Sequence, residues 1–201
     1  GTFGETVAIT KALTLAGAGM DATTIAGGMT IGGALSGLAL RDFTVRGSGT
    51  GTSVIGNSGL LTDLVVDAVR VDGLNVANRH GFIGGQIGGA ISITASEFVN
   101  IRGWAAFDTR SGAGGNDGAQ IFSGTFSNNL IDNTIGHIAF RQQAGAATLP
   151  NLVFSGNTVR NVGAATNSFG AVFKAFNAGT VDVTGNTVSG VGTSGFNPAG
   201  E

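Results

Sequence analysis

Leu152-Val-Phe-Ser-Gly-Asn-Thr-Val-Arg-Asn-Val-Gly163 returns 29 residues later as Val181-Asp-Val-Thr-Gly-Asn-Thr-Val-Ser-Gly-Val-Gly192, with Asn157 matching Asn186. Looser copies lie upstream: Phe126-Ser-Asn-Asn-Leu-Ile-Asp-Asn-Thr-Ile-Gly136, Ile93-Thr-Ala-Ser-Glu-Phe-Val-Asn-Ile-Arg-Gly103, Val65-Val-Asp-Ala-Val-Arg-Val-Asp-Gly73 and Leu38-Ala-Leu-Arg-Asp-Phe-Thr-Val-Arg-Gly47. Their closing glycines are stepped by 26, 30, 33, 27 and 29 residues. Units of this length with alternating apolar residues describe a solenoid in which each repeat stacks on the last.

The composition agrees with a folded, all-β chain. Apolar residues make up 42% and charged residues 11% of the 201, the reverse of a disordered segment. Glycine, at 37 residues, has no Gly-X-Y period, which excludes collagen. A net charge of −2 provides no basic field for nucleic acid and no polybasic membrane patch, so neither partner is expected. The absence of cysteine removes disulfides, thiol nucleophiles and zinc–cysteine sites. No apolar run reaches the ~18 residues of a membrane span, and no signal peptide is recognisable. With only Lys11 and Lys174 as lysines, the polar surface falls to Thr, Ser, Asn and Gly, which points to an extracellular or cell-surface location.

The opening reads as short strands at Glu5–Ile9, Ala12–Leu15 and Ala22–Ile25, each bounded by Gly or Asp. The segment Gly1-Thr-Phe-Gly-Glu-Thr-Val-Ala-Ile-Thr-Lys-Ala-Leu-Thr-Leu-Ala-Gly17 resembles the opening coil of the pectin-lyase-like, right-handed parallel β-helix superfamily. That family's pattern is G-T-[YF]-x-E-x-[VI]-x-[VI]-x-K-x-L-T-L-x-G, found in pectin methylesterases and in bacterial surface proteins. The resemblance implies a single right-handed parallel β-helix over 1–201, of about seven coils laid out as 1–28, 29–59, 60–89, 90–118, 119–148, 149–179 and 180–201. Family members usually start with a capping helix, which is missing before this segment, and the last coil stops part-way. The expectation is a piece of a longer chain or a subunit that stacks end to end.

Phe43/Val45, Val69/Val71, Phe98/Ile101, Ile131/Ile135, Val159/Val162 and Val188/Val191 are expected to point inward as ladders, each followed by a glycine turn with φ > 0. Asn129, Asn157 and Asn186, spaced 28 and 29 residues, read as an internal ladder of side-chain amides.

One polar column emerges by counting from the glycines. Phe107, Phe140 and Phe173 recur at 33-residue steps and are followed by Asp108, Arg141 and Lys174. With Arg110, Gln142 and His80 they form the candidate site: Asp108, Arg110, Arg141 and His80 as catalytic candidates, Lys174, Gln142 and Trp104 as candidate ligand contacts. The competing structural reading is an exposed Asp108–Arg141 ion pair. Polysaccharide lyases need a cation against an acid carboxylate and a base for the C5 proton; hydrolases need two carboxylates at a set spacing. Asp108 has no second carboxylate in the column, and the methylesterase motifs and pectate-lyase calcium clusters are absent.

The remaining motifs are weaker. Gly114-Gly-Asn-Asp-Gly-Ala-Gln-Ile-Phe-Ser-Gly124 holds one partial calcium-loop copy and reads as a turn. Gly81–Gly89 lacks the Lys-Ser/Thr of a phosphate loop and reads as a bend. His80 and His137 have no third ligand, so neither metal nor cofactor is expected. Trp104 reads as core before sugar platform, and Thr44, Thr158 and Thr187 form no flat Thr-x-Thr array. The function expected is structural: an adhesin, matrix or filament segment that associates with itself or with neighbouring domains. The alternatives are a polysaccharide lyase or hydrolase and a saccharide-binding module.

Overall fold

Apolar and polar residues alternate in each repeat over runs too short for a stable helix. A computed structural model of the chain describes residues 1–49, 51–83, 85–109, 121–135, 137–141, 150–162, 173–176 and 178–191, and within them every helix-or-strand element is a strand. All the strand pairings are parallel, so the chain is a parallel β-solenoid.

The strands fall into three stacks. The first holds β3 (Thr14–Ala16), the opening halves of β7 (Ala39–Arg46) and β10 (Val65–Asp72), β12 (Gln86–Thr94), β15 (Ile121–Ser127), β18 (Asn151–Ser155) and β21 (Thr180–Thr184). The second holds β1 (Thr2–Phe3), β4 (Thr24–Ile25), the closing halves of β7 and β10, β13 (Glu97–Val99), β16 (Leu130–Thr134), β19 (Thr158–Val162) and β22 (Thr187–Val191). A separate sheet forms the third: β2 (Val7–Ile9), β5 (Met29–Ile31), β8 (Ser53–Asn57), β11 (His80–Ile83), β14 (Ala105–Asp108), β17 (His137–Arg141) and β20 (Phe173–Phe176). Two short strands, β6 (Leu35–Ser36) and β9 (Leu60–Thr62), lead into the start of β12.

Register makes each stack a ladder. The first runs Leu15, Leu40, Val66, Ile93, Phe126, Phe154, Val183. The second runs Phe3, Ile25, Val45, Val71, Phe98, Ile131, Val159, Val188. The third runs Val7, Met29, Ile55, Phe82, Phe107, Ile138, Phe173. The middle members are almost wholly buried, and each large side chain so buried contributes roughly 1.5–3 kcal/mol. Aromatic rings knit the stacks together: Phe126 stacks on Phe154 with centroids 5.3 Å apart, and Phe154 meets Phe173 at 4.8 Å.

The solenoid makes about five turns some 27 residues apart, slightly fewer than the seven expected. At the start the strands are two or three residues long and Ile25 precedes its partner Val45 by only 20. Counted by strand alone, the third stack is seven high. One inward position also moves. Thr134, wholly buried, is the register partner of Val162, where Ile135 was expected.

The corner between the first and second stacks is constant. From Leu40, Val66, Ile93, Phe126, Phe154 and Val183 the next inward ladder residue is always five positions on. One residue with positive φ turns the chain there: Asp42, Ala68, Ala95, Asn128, Gly156 and Gly185, at 48–64°. The closing glycines Gly47, Gly73 and Gly103 are not such turns. Close approach explains them: a Cβ would lie 2.8 Å from the Arg79 side chain, 2.5 Å from the Asn100 carbonyl and 2.5 Å from the His80 nitrogen, respectively.

Candidate functional site

The third stack carries the residues singled out by the polar column. Strand β14 is buried on both faces, and Asp108 has no exposed surface, so it lies off any solvated face. In register Asp108 meets Ala139 and then Lys174, whereas Arg141 meets Phe176. The Asp108–Arg141 alignment read from 33-residue counting therefore slips by two residues. One residue of the slip is already present at Ala105, which pairs with His137, and the second is a bulge: Phe107 pairs with Ile138, leaving Ala106 as an extra residue. The same slip puts Ile138, not Phe140, between Phe107 and Phe173, although the Phe140 ring still lies 6.2 Å from Phe107 and 5.6 Å from Phe173.

His80 pairs in register with Ser53, and its ring stands edge-on to Trp104 at 5.9 Å and 88°. Trp104 is half-buried. Arg110, Gln142 and the Gly114 turn lie outside the described residues.

Next to His80, Arg79 is 1% exposed. Its guanidinium donates to the carbonyls of Gly47 at 3.2 Å, Ser48 at 3.2 Å, Gly51 at 3.2 Å and Gly49. A planar fork of donors suits several carbonyls at once. This is a clamp on the loop after β7, and nothing in the sequence pattern marks it.

The asparagine row runs inside the stack. Each Oδ1 accepts from the backbone N–H one rung back: Asn186 from Asn157 at 2.9 Å, Asn157 from Asn129 at 2.9 Å, Asn129 from Ser96 at 2.8 Å. Each Nδ2 donates to a carbonyl, of Phe154, Phe126 and Ile93 in turn. Ser96 continues the row, its Oγ accepting from Val69 N–H at 3.1 Å.

A second amide row lies outside. Asn133 Nδ2 donates to Asn100 Oδ1 at 2.7 Å, Asn100 donates to Asp72 at 3.0 Å, and Asn161 donates to Asp132 at 2.9 Å. The signal was available: Asn133 and Asn161 each follow an internal asparagine by four residues, as Asn100 follows Ser96.

The scarce charges gather on this second stack. Arg46 pairs with Asp72 at 3.5 Å, Arg70 with Glu97 at 2.5 Å and Asp21 at 2.8 Å, and Arg160 with Asp132 at 2.8 Å; Arg41 pairs with Asp67 at 2.5 Å around the corner. Hydrogen bonds to Glu97 and then Asp21 raise the Arg70 pKa further. Burial alone would push the Asp132 carboxyl up, but hydrogen bonds from Arg160 and Asn161, with the Arg160 charge, bring it below the usual range.

The outer surface of the first stack is lined by Ser123, Asn151 and Thr180, with Ser127, Ser155 and Thr184 alongside. Phe122 stands beside them, 56% exposed. It is the extra residue of another bulge, since Gly89 pairs with Ile121 but Ala90 with Ser123. Among the described residues no group of three or more His, Asp or Glu gathers to hold a metal.

No family model matches the sequence, and neither the curated proteins nor the solved structures contain a match to it. The parallel β-solenoid architecture is compatible with the β-helix superfamily that the opening segment resembles.

Proposed function

We propose that this chain is a structural segment of an extracellular or cell-surface β-helix protein of the pectin-lyase-like kind, a rigid rod unit that joins others by its ends or sides. The observation that carries this reading is the direction of its polar chemistry. Arg41–Asp67, Arg46–Asp72, Arg70–Glu97 and Arg160–Asp132 each link adjacent rungs, and both amide rows run along the axis. Exposed pairs of this kind contribute only ~0.2–1 kcal/mol each, yet they hold the scarce charges on one another instead of converging on a cleft. Such a surface suits a scaffold. Electron microscopy of the purified protein over a range of concentrations tests it. Elongated particles in multiples of one unit, with strands ~4.8 Å apart along the rod, support the reading; compact single units at every concentration defeat it.

Phe122 favours a second reading, a saccharide-binding module without turnover. An aromatic ring raised by a bulge beside Ser123, Asn151 and Thr180 has the apolar face and polar surround that a sugar ring needs. Titration with acidic and neutral polysaccharides, with and without Phe122→Ala, separates it from the scaffold. Retained binding in the variant rejects this site.

A further inference from the structure

We infer that the outer face of β12, β15 and β18 binds an extended neutral glycan, laid along the solenoid axis with one sugar ring on Phe122. This rests on the saccharide-binding reading above and names its ligand class.

The face is uncharged. The three strands are neighbours in the first stack, and not one of their residues is Asp, Glu, Lys or Arg. The charges nearest in register are Asp67, which lies beside Thr94 and is held by Arg41, and Asp182, which lies beside Val153. An acidic polysaccharide would meet these two carboxylates, and the one cation in register with the face, Arg41, is already engaged. Like charges brought together in this way reject a partner. A neutral chain meets no such penalty.

The polar groups of the face are available. Ser123, Thr125 and Ser127 of β15 and Ser155 of β18 lie on the outer side, alternating with the buried Gly124, Phe126 and Phe154. Among the described residues, their hydroxyls find no hydrogen-bond partner. Asn151 Oδ1 accepts from Thr180, while its own Nδ2 points no bond into the described chain. The interior differs: Asn129 and Asn157 bond to the rungs on either side of them. Each outer hydroxyl can donate one bond and accept two, which matches a ligand covered in hydroxyls.

Spacing favours a polymer. Rungs stand ~4.8 Å apart, and outward neighbours on one strand ~6.6 Å apart. A chain running along the axis therefore finds fresh hydroxyls at every rung, whereas a single sugar reaches few of them. At one margin the bulge sets Phe122 and Ser123 side by side on the outer surface, between the buried Ile121 and Gly124. The ring, 56% exposed, offers an apolar platform to the C–H face of one sugar, and Ser123 meets its hydroxyl edge.

Isothermal titration calorimetry on the full chain tests this, with xyloglucan, galactomannan and cellohexaose as neutral probes and polygalacturonate as the acidic one. At least one neutral probe should bind, and polygalacturonate should not. Of the glycan that binds, the hexasaccharide should bind more than ~10-fold tighter than the disaccharide, a gain of ~1.4 kcal/mol. Phe122→Ala removes the platform, and Thr125→Val removes a hydroxyl while keeping the side chain's shape. Each should weaken binding several-fold and leave the melting temperature in place, because both side chains point outward. If Phe122→Ala does not fold, Thr125→Val decides. Binding of polygalacturonate that Phe122→Ala abolishes overturns the neutral class and leaves the saccharide-binding reading standing. Neutral binding indifferent to both substitutions overturns this face alone. No binding to any probe overturns both, as does self-association that Phe122→Ala abolishes without any glycan bound, which would give the face to a second copy.

Discussion

Ala95 and Asn128 stand one rung apart at the same corner with the same left-handed backbone, φ 48° and 56°. Asparagine tolerates that conformation because its side chain bonds locally, whereas alanine has only the Cβ penalty of roughly 1–2 kcal/mol. Ala95→Gly should therefore stabilise the fold by about 0.5–1 kcal/mol, after the entropy that glycine adds to the unfolded chain is subtracted. Ala68, at φ 51°, should behave the same way. Thermal unfolding of the two single variants and the double checks this, and a drop in midpoint would refute it.

Asn157 serves both neighbours of its row. Its Oδ1 accepts from the backbone N–H and Nδ2 of Asn129, while its own amide donates to the Phe126 carbonyl. Asn157→Leu strands these groups in a buried place, each costing about 1–3 kcal/mol. A total loss of about 3–5 kcal/mol is expected in urea unfolding. Asn186→Leu should cost less, because Asn186 is only partly buried.

Arg79 should be irreplaceable by lysine. Arg79→Met leaves four carbonyls without their donor and should cost several kcal/mol. Lysine offers a compact point charge instead of a fork, so Arg79→Lys should fall between wild type and Arg79→Met. Limited proteolysis near Gly47–Gly51 reads the loop directly, with cleavage increasing in the order Arg, Lys, Met.

Asp132 gives a pH dependence of defined sign. Its carboxyl titrates lower in the folded chain than in the unfolded one, so its contribution is present above the unfolded value of ~3.9 and is lost as pH falls through the folded value. Arg160 is half exposed, and screening keeps the effect to a few tenths of a kcal/mol. Comparing wild type with Asp132→Asn, the difference in urea midpoint should shrink below pH 4 and in high salt. A difference that widens on acidification would contradict the assignment.

The repeat period and inward alternation disclosed a parallel β-solenoid because both arise from local, regular geometry. Register at β14 and β17 was not readable. Counting assumed a constant spacing from glycine to strand, but Ala105 follows Gly103 by two positions and its partner His137 follows Gly136 by one, and the bulge at Ala106 adds a second residue of slip. Asp108 looked like an exposed charge because its burial depends on what covers the outer side of β14, which a one-dimensional pattern does not encode. Ser96 went unnoticed among the asparagines since its hydroxyl does the same accepting job with a different side chain. The charge rows at Arg46, Asp72, Asp132 and Arg160 had been legible as steps of 26, 60 and 28 residues, but the Val99 rung interrupts them.

The five-residue corner divides the chain into parts with different freedom to change. From one rung to the next, every difference in length falls outside that corner: Val71 is followed by its next first-stack residue, Ile93, after 22 positions, but Phe98 by Phe126 after 28. Loops beyond the corner can lengthen without disturbing the strands that follow, provided the third-stack strands between them keep their register. A single residue inserted between Phe126 and Ile131 would do the opposite, because side chains alternate with a period of two. It would turn the rest of that rung inside out. A graft of foreign loops onto this scaffold therefore belongs in the loops on either side of the third-stack strands, and must never touch the corner.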